Sequence, residues 1–223
     1  MIKYYCIGLL LLLTGCKSHI GFPIKLSDFD SKKESIRIQG FMSIEVSSCI
    51  DSKTKIPSDD VFKLQNKIPY IFKESVYSHC EDEGMRSFAW FSIPANIDNL
   101  RNSKPVDDQI INLSFFPRKA NPENRNLVIL LAPKLKESIS NLIESSDFAS
   151  LDDISMTFEI NTGGKKLEFR VIGAYLEDTP VQYNTFSNKA DTFNITIPPY
   201  GIKQMVTSLG KFSIISRVRV KKP

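Results

Sequence analysis

The residue with the clearest chemistry is Cys16, which closes the run Leu13-Thr14-Gly15-Cys16. A branched residue, two small residues and a Cys form a lipobox. The thiol is the nucleophile that accepts a diacylglyceryl group as a thioether, and the small Thr14 and Gly15 let a peptidase close on the bond before Cys16. Ahead of the box, Lys3 supplies a short positive segment and residues 4–13 are apolar apart from Gly8. About ten apolar residues fall short of the roughly 20 that a spanning helix needs, so residues 1–15 read as a signal peptide. Each buried CH₂ contributes about 0.8 kcal/mol, so two or three acyl chains on Cys16 hold a protein firmly to a lipid bilayer. Lys17 rather than Asp follows the Cys, the pattern that favours the outer membrane, with the domain facing the periplasm.

Cysteine chemistry extends further along the chain. Of the four cysteines, Cys6 leaves with the signal peptide and Cys16 is acylated. Cys49 and Cys80 remain, and in an oxidising periplasm two leftover cysteines most simply form a disulfide. A metal or redox site is the alternative, and it lacks partners: there is no CxxC, and the two histidines are His19, in the expected tether, and His79, beside Cys80. No metal site and no cofactor are expected.

Other reactive groupings have simpler explanations. Two histidines leave little room for a His-based triad, and no SxxK has supporting context. The carboxylate clusters Glu81-Asp82-Glu83 and Asp152-Asp153 would suit a glycan hydrolase only if two faced each other across a cleft; adjacent carboxylates in turns are usually solvated. Gly163-Gly164 lacks the phosphate-loop pattern and reads as a turn. At the C-terminus Arg217, Arg219 and Lys221 alternate on one strand face. They would suit an anionic contact, and an edge strand guarded by charge accounts for them more simply. Phe88, Trp90 and Phe91 put aromatic rings on both faces of one strand, which fits a buried strand better than a binding face.

The elements that must position these residues belong to a globular chain. Its 223 residues are 42% hydrophobic and 24% charged, which excludes a disordered chain or one with many membrane spans. A net charge of +4 is too small a basic excess to imply nucleic acid. Residues 16–33 show no sustained periodicity and are expected to be the lipidated Cys and a flexible tether. Residues 34–223 form the β-rich globular domain. Ile36, Ile38, Met42, Ile44 and Val46 alternate as a strand with Gly40 as a bulge. A helix starts at residues 57–60, carries Val61, Leu64 and Ile68, and ends or kinks at Pro69. Residues 75–80 and 87–93 flank a hairpin, the second arm stopping at Pro94. Strands are expected at 109–115 and 127–131, then a helix from Pro133 bearing Leu135, Ile139, Leu142 and Ile143. Ile154, Met156, Phe158 and Ile160 alternate into the turn Thr162-Gly163-Gly164, and Leu167, Phe169 and Val171 alternate out of it. Strands at 181–184, 192–197 and 212–220 and a helix at 202–209 closed by Gly210 complete the chain. Hairpins dominate, which predicts a single mainly β domain with a few short helices (α+β), an antiparallel β-sandwich.

The whole chain resembles a family of small, uncharacterised lipoproteins of enterobacteria and their prophages or phages, a domain of unknown function. The resemblance is carried by Leu13-Thr14-Gly15-Cys16-Lys17, by Glu45-Val46 leading to Cys49, and by Ile56-Pro57-Ser58-Asp59 before Ile68-Pro69-Tyr70-Ile71-Phe72. Cys80, Phe91-Ser92-Ile93-Pro94 and Phe169-Arg170-Val171-Ile172-Gly173-Ala174-Tyr175 continue it. It implies lipidation, a Cys49–Cys80 pair and carriage on a mobile element, and supplies no catalytic residues. The expected function is therefore a non-enzymatic, membrane-anchored envelope lipoprotein that binds an envelope protein or glycan, encoded by a prophage or plasmid to modify the host envelope, for instance in exclusion. Two alternatives stand beside it: an envelope-remodelling, peptidoglycan-directed hydrolase, and a lipoprotein component of a secretion or conjugation apparatus.

Overall fold

The computed structural model describes residues 17–30, 35–98, 109–118, 121–145, 151–207 and 211–220. Eleven strands, three helices and two short 3-10 turns follow one another as β1 (Ser18–Lys25), a 3-10 turn (Leu26–Asp30), β2 (Ser35–Val46), α1 (Asp59–Ile71), β3 (Val76–Glu83), β4 (Arg86–Asp98), β5 (Ile111–Arg118), β6 (Asn121–Leu130), α2 (Pro133–Ser145), a second 3-10 turn (Leu151–Asp153), β7 (Ile154–Asn161), β8 (Leu167–Leu176), β9 (Thr179–Ser187), β10 (Thr192–Ile197), α3 (Pro199–Thr207) and β11 (Lys211–Val220). The helix of 202–209 thus begins earlier, and the Gly210 expected to close it lies outside the described residues.

These strands do not make a sandwich. They pair in the order β10-β7-β1-β2-β4-β5-β6-β11-β8, and β10 pairs again with β8, so the sheet closes into a nine-stranded barrel with β3 and β9 outside the ring. Closure rests on Ile195 opposite Leu176 and Thr196 opposite Tyr175. Alternating strands are equally compatible with two facing sheets or one closed sheet, and only the long-range pairings distinguish them. Two of those pairings are parallel, β1 with β7 and β4 with β5, and hairpin reasoning has no access to either.

Residues 18–30, expected as tether, instead supply β1 and the turn after it. Ile20, Phe22 and Ile24 point inward and are buried, while Pro23 and Lys25 are exposed. The alternation is three residues deep and interrupted by Gly21 and Pro23, too short to stand out in sequence. Gly21 and Gly40 both allow close approach. A Cβ on Gly21 would sit 2.3 Å from the Phe41 ring, and one on Gly40 would sit 2.3 Å from the Phe22 ring and 2.4 Å from the Gly21 carbonyl oxygen. The bulge expected at Gly40 is absent: β2 and β4 pair without a register shift from Ser35–Asp98 to Val46–Ser87.

Pro94 does not end its strand either. β3 pairs with β4 only as far as Ser92, and β5 begins pairing at Ala95, so Pro94, opposite Gln39 of β2 on one side, falls on the other side in a gap between two partners. In α1, Ser58 caps the N-terminus by accepting from the Val61 N–H at 3.4 Å, Asp59 and Asp60 occupy the first turn, and Pro69 is tolerated in the last turn.

The barrel interior is a core. An eight-stranded barrel is just filled by side chains, and this wider ring is filled by bulky ones, among them the fully buried Phe22, Phe91, Phe158 and Phe169. Two internal voids hold only ≈ 20 and ≈ 30 Å³. Leu26 and Phe29 close one end against Ile24, Ile160 and Val218. At the other end Phe72, Ile139, Ile202, Met205 and Val206 cap Ile20, Met42 and Met156. Outward residues such as Ser155, Thr157 and Glu159 of β7 are polar. That is the reverse of a membrane-spanning barrel, which needs an apolar exterior. Among the described residues no helix is long and apolar enough to cross a membrane.

Candidate functional site

With the interior filled, any ligand or partner would have to meet the outer surface. The chain has two histidines and one tryptophan, and the fold gathers all three on one band. Register places Ser155 of β7, His19 of β1, Ser43 of β2, Trp90 of β4 and His79 of β3 side by side across five strands. The first four face outward, because their neighbours Met156, Ile20, Met42, Ala89 and Phe91 face the core, and His79 is exposed. Phe41 lies over Gly21 and joins the rings: His19 to Phe41 is 5.7 Å between centroids, Phe41 to Trp90 is 5.4 Å, and Trp90 to His79 is 5.9 Å with the planes parallel to within 3°. These separations are those of favourable offset and tilted aromatic pairs.

Trp90 is half-buried and Phe41 exposed, so the expectation that Phe88 and Trp90 mark a fully buried strand holds only for the opposite face. Ala89, Phe91 and Ile93 face the core. Hydrogen-bonding groups edge the band. Gln39 donates to Ser92, His79 Nδ1 lies 2.9 Å from Ser78 Oγ, and the Trp90 Nε1–H is sequestered without a partner.

At its β7 end the band opens into a pocket of ≈ 370 Å³, lined by Lys17, Ser18, His19, Phe88, Asp152 and Ser155 among others. This volume lies in the range of ordinary small-ligand sites. His19 Nδ1 sits 2.9 Å from Ser155 Oγ. Burial lowers the pKa of His19 below the usual histidine value, which favours the neutral imidazole. Ser18 is 3% exposed, and its hydroxyl has no hydrogen-bond partner although it lines the pocket. Asp152 is held by Lys203 at 3.0 Å. Together these residues offer hydroxyls, an imidazole and a carboxylate beside an aromatic floor. A second groove, ≈ 490 Å³ between α1 and α2, is lined by long side chains such as Lys67, Lys134 and Glu137 and lacks a comparable buried polar group.

Sequence reasoning does not reach this band, because it places His19 in a tether and because Phe41, Trp90 and His79 come together only through strand register. The sole signal available was the scarcity of His and Trp, which says nothing of proximity. Of the residues singled out in the sequence, Cys49 and Cys80 form the disulfide, with Cα atoms 5.5 Å apart. Cys16 and Lys221 lie outside the described residues. Arg217 and Arg219 lie on β11, which is not an edge strand, since it pairs with β6 on one side and β8 on the other. The reading of these charges as edge protection therefore fails, and Arg219 instead stands in register with Glu168. Glu81, Asp82 and Glu83 are solvent-exposed at the end of β3. No group of three or more His, Cys, Asp or Glu among the described residues is arranged to hold a metal ion.

A second polar cluster lies under the opposite part of the sheet. Arg37 donates to Glu74 and, at 2.9 Å, to Asn96, which donates to Asn112 at 3.3 Å, which in turn donates to the Ile110 carbonyl at 2.8 Å. One row further, Asp98 stands between Ser35 and Ser114 in register. It is 3% exposed, and its buried carboxylate oxygens make no well-formed hydrogen bond, with only the Ser35 hydroxyl beside them to favour the charge. Desolvation pushes its pKa up, opposed only in part by Ser35. The folded state therefore holds this proton more tightly than the unfolded chain, so stability falls as pH rises from about the unfolded carboxylate value through the folded one. Asp98→Asn removes the charge that this buried site solvates poorly, so it is expected to raise the stability at pH 7 and to make little difference at pH 3, where the carboxyl is protonated in both states. Thermal melts of the two proteins at both pH values check this.

The family model for a domain of unknown function, DUF7424, matches residues 18–218, nearly the whole described barrel. The chain belongs to the DUF7424 family. The matched region of this DUF7424 domain begins at the first residue of β1 and ends within β11, so it includes the N-terminal strand and every ring strand. No curated protein and no solved structure matches the chain.

Proposed function

We propose that this DUF7424 protein is a lipid-anchored, glycan-binding domain of the bacterial cell envelope, with its lipid on Cys16. The observation that carries the binding reading is the outer band of His19, Phe41, Trp90 and His79 running into the ≈ 370 Å³ pocket. Sugar rings present C–H faces with hydroxyls at their edges, and a half-exposed aromatic floor bordered by Ser, Gln, His and Asp is the matching surface. The lipobox at Leu13-Thr14-Gly15-Cys16 and the following Lys17 support an address at the outer membrane, facing the periplasm. The resemblance to prophage lipoproteins fits a role in modifying the host envelope, such as exclusion. Binding rather than turnover fits His19, whose one hydrogen bond among the described residues goes to Ser155 through Nδ1, whereas a nucleophilic triad needs both ring nitrogens engaged.

The test is co-sedimentation with purified peptidoglycan sacculi and with lipopolysaccharide aggregates, alongside assay for soluble muropeptides. Wild-type protein is expected to bind at least one of the two. Trp90→Ala, expected to melt within a few degrees of wild type because the ring is only half-buried, should weaken that binding by tenfold or more, about 1.4 kcal/mol. Binding of neither glycan, or binding unchanged in Trp90→Ala, overturns the reading. Release of muropeptides would establish the hydrolase instead.

A further inference from the structure

We propose that the barrel sits directly on the bilayer with its helix-capped end down, placing Ile50, Ile56, Phe62, Met85 and Tyr200 in the interfacial layer of a membrane of zwitterionic lipid. The proposal rests on the lipid at Cys16 and adds the orientation and the contact surface. Lys17 is not slack chain. Its N–H donates to Glu45 Oε2 at 3.1 Å and its carbonyl accepts from the Glu45 N–H at 2.9 Å, one residue before β1 begins. Consecutive Cα atoms are about 3.8 Å apart, so an acyl chain on Cys16 would leave the barrel wall within a single residue of a fixed point. The roughly 50 Å reach of a 17-residue tether is absent.

The fixed point lies at one end of the barrel, and exposed apolar side chains ring that end. Glu45 also meets Arg86 at 3.7 Å, next to the hairpin tip, where Met85 is completely exposed (103%). β2 ends one residue after Glu45 in the loop that carries Ile50 and Ile56, which is pinned by the Ile50–Pro57 bridge and by the Ser58 hydroxyl donating to the Ser48 carbonyl at 2.6 Å. Phe62 follows in the first turn of α1, its N–H bonded to the Ser58 carbonyl at 2.9 Å. Tyr200 follows Pro199, which lines the same pocket as Lys17. All five are exposed. Isolated exposed apolar residues need no explanation, but these surround the one place where the chain would enter the membrane. Apolar side chains together with a Tyr are what a membrane interface accepts.

Charge argues for a zwitterionic surface. Around these five side chains Lys17, Lys53, Lys55, Lys63 and Arg86 are balanced by Glu45, Asp51, Asp59, Asp60 and Glu83, and Asp51 is turned into its own loop, accepting from the Lys53 and Thr54 N–H groups at 2.9 and 2.7 Å. No basic excess is available to draw the rim to anionic lipid.

The experiment uses full-length acylated protein reconstituted in phosphatidylcholine–phosphatidylethanolamine vesicles and read by hydrogen exchange. Residues 47–63, 84–87 and 199–203 are expected to exchange several-fold more slowly than in the Cys16→Ser protein mixed with the same vesicles. Inserting ten Gly/Ser residues between Cys16 and Lys17 is expected to remove this protection while the protein stays vesicle-bound. Equal protection with and without the insertion, or none in either, overturns the seating and leaves the lipid on Cys16 standing. Absence of the acyl mass on Cys16, checked first by mass spectrometry of the same sample, overturns both readings together.

Discussion

Replacing Cys49 and Cys80 together by Ser is expected to cost roughly 3–4 kcal/mol, the chain-entropy value for the sequence separation of 31 that the disulfide spans. For a domain of this size that lowers the melting temperature by roughly 7–14 °C. The loss should be concentrated in one region. β3 lies outside the ring, pairs with β4 alone, and has no fully buried side chain, so besides its ladder and the rings of Tyr77 and His79 against Phe91 and Trp90 it depends on this bond to the loop before α1. Hydrogen exchange in the double variant is expected to accelerate first over residues 76–83, before the ring strands respond. Uniform acceleration across the ring would show that the disulfide does not secure β3 locally.

Phe158→Ala should be at least as damaging. Phe158 is fully buried, and its ring lies 6.0 Å from that of Phe22, its register partner on the parallel β1. Removing a buried Phe costs about 3–5 kcal/mol, because the cavity collapses only in part. Here the cavity would open between the first strand and a strand about 136 residues away, beside one of the two parallel ladders of the ring. Denaturant unfolding is expected to show a lower midpoint in proportion to that loss. Phe158→Leu should recover part of it by refilling most of the space.

How much of this was legible in the sequence depends on the range of the signal. Local patterns were readable: the β2 alternation, the helix start within 57–60, the Gly163-Gly164 turn with both residues at positive φ, and 192–197 as a strand at its observed limits. Pairing between distant segments was not. The parallel ladders and the contact of β10 with β8 turn a plausible sandwich into a barrel, and they depend on shape complementarity among inward residues that look alike in sequence. β1 failed for a related reason. Pro23 and Gly21 look like loop residues, yet Pro23 stands exposed on the outer face and Gly21 makes room for Phe41. The two cysteines were legible by elimination. The aromatic band was not, because His19, Phe41, His79 and Trp90 share a surface only once register is known.

The position of β1 also has a mechanical consequence. The strand that begins at Ser18 is hydrogen-bonded on both sides, antiparallel to β2 and parallel to β7. A load applied at residue 17 along the strand acts across those bonds and strains them together in shear, rather than peeling them one at a time. A pull that reaches residue 17 is therefore carried by two strands at once and loads the barrel wall itself.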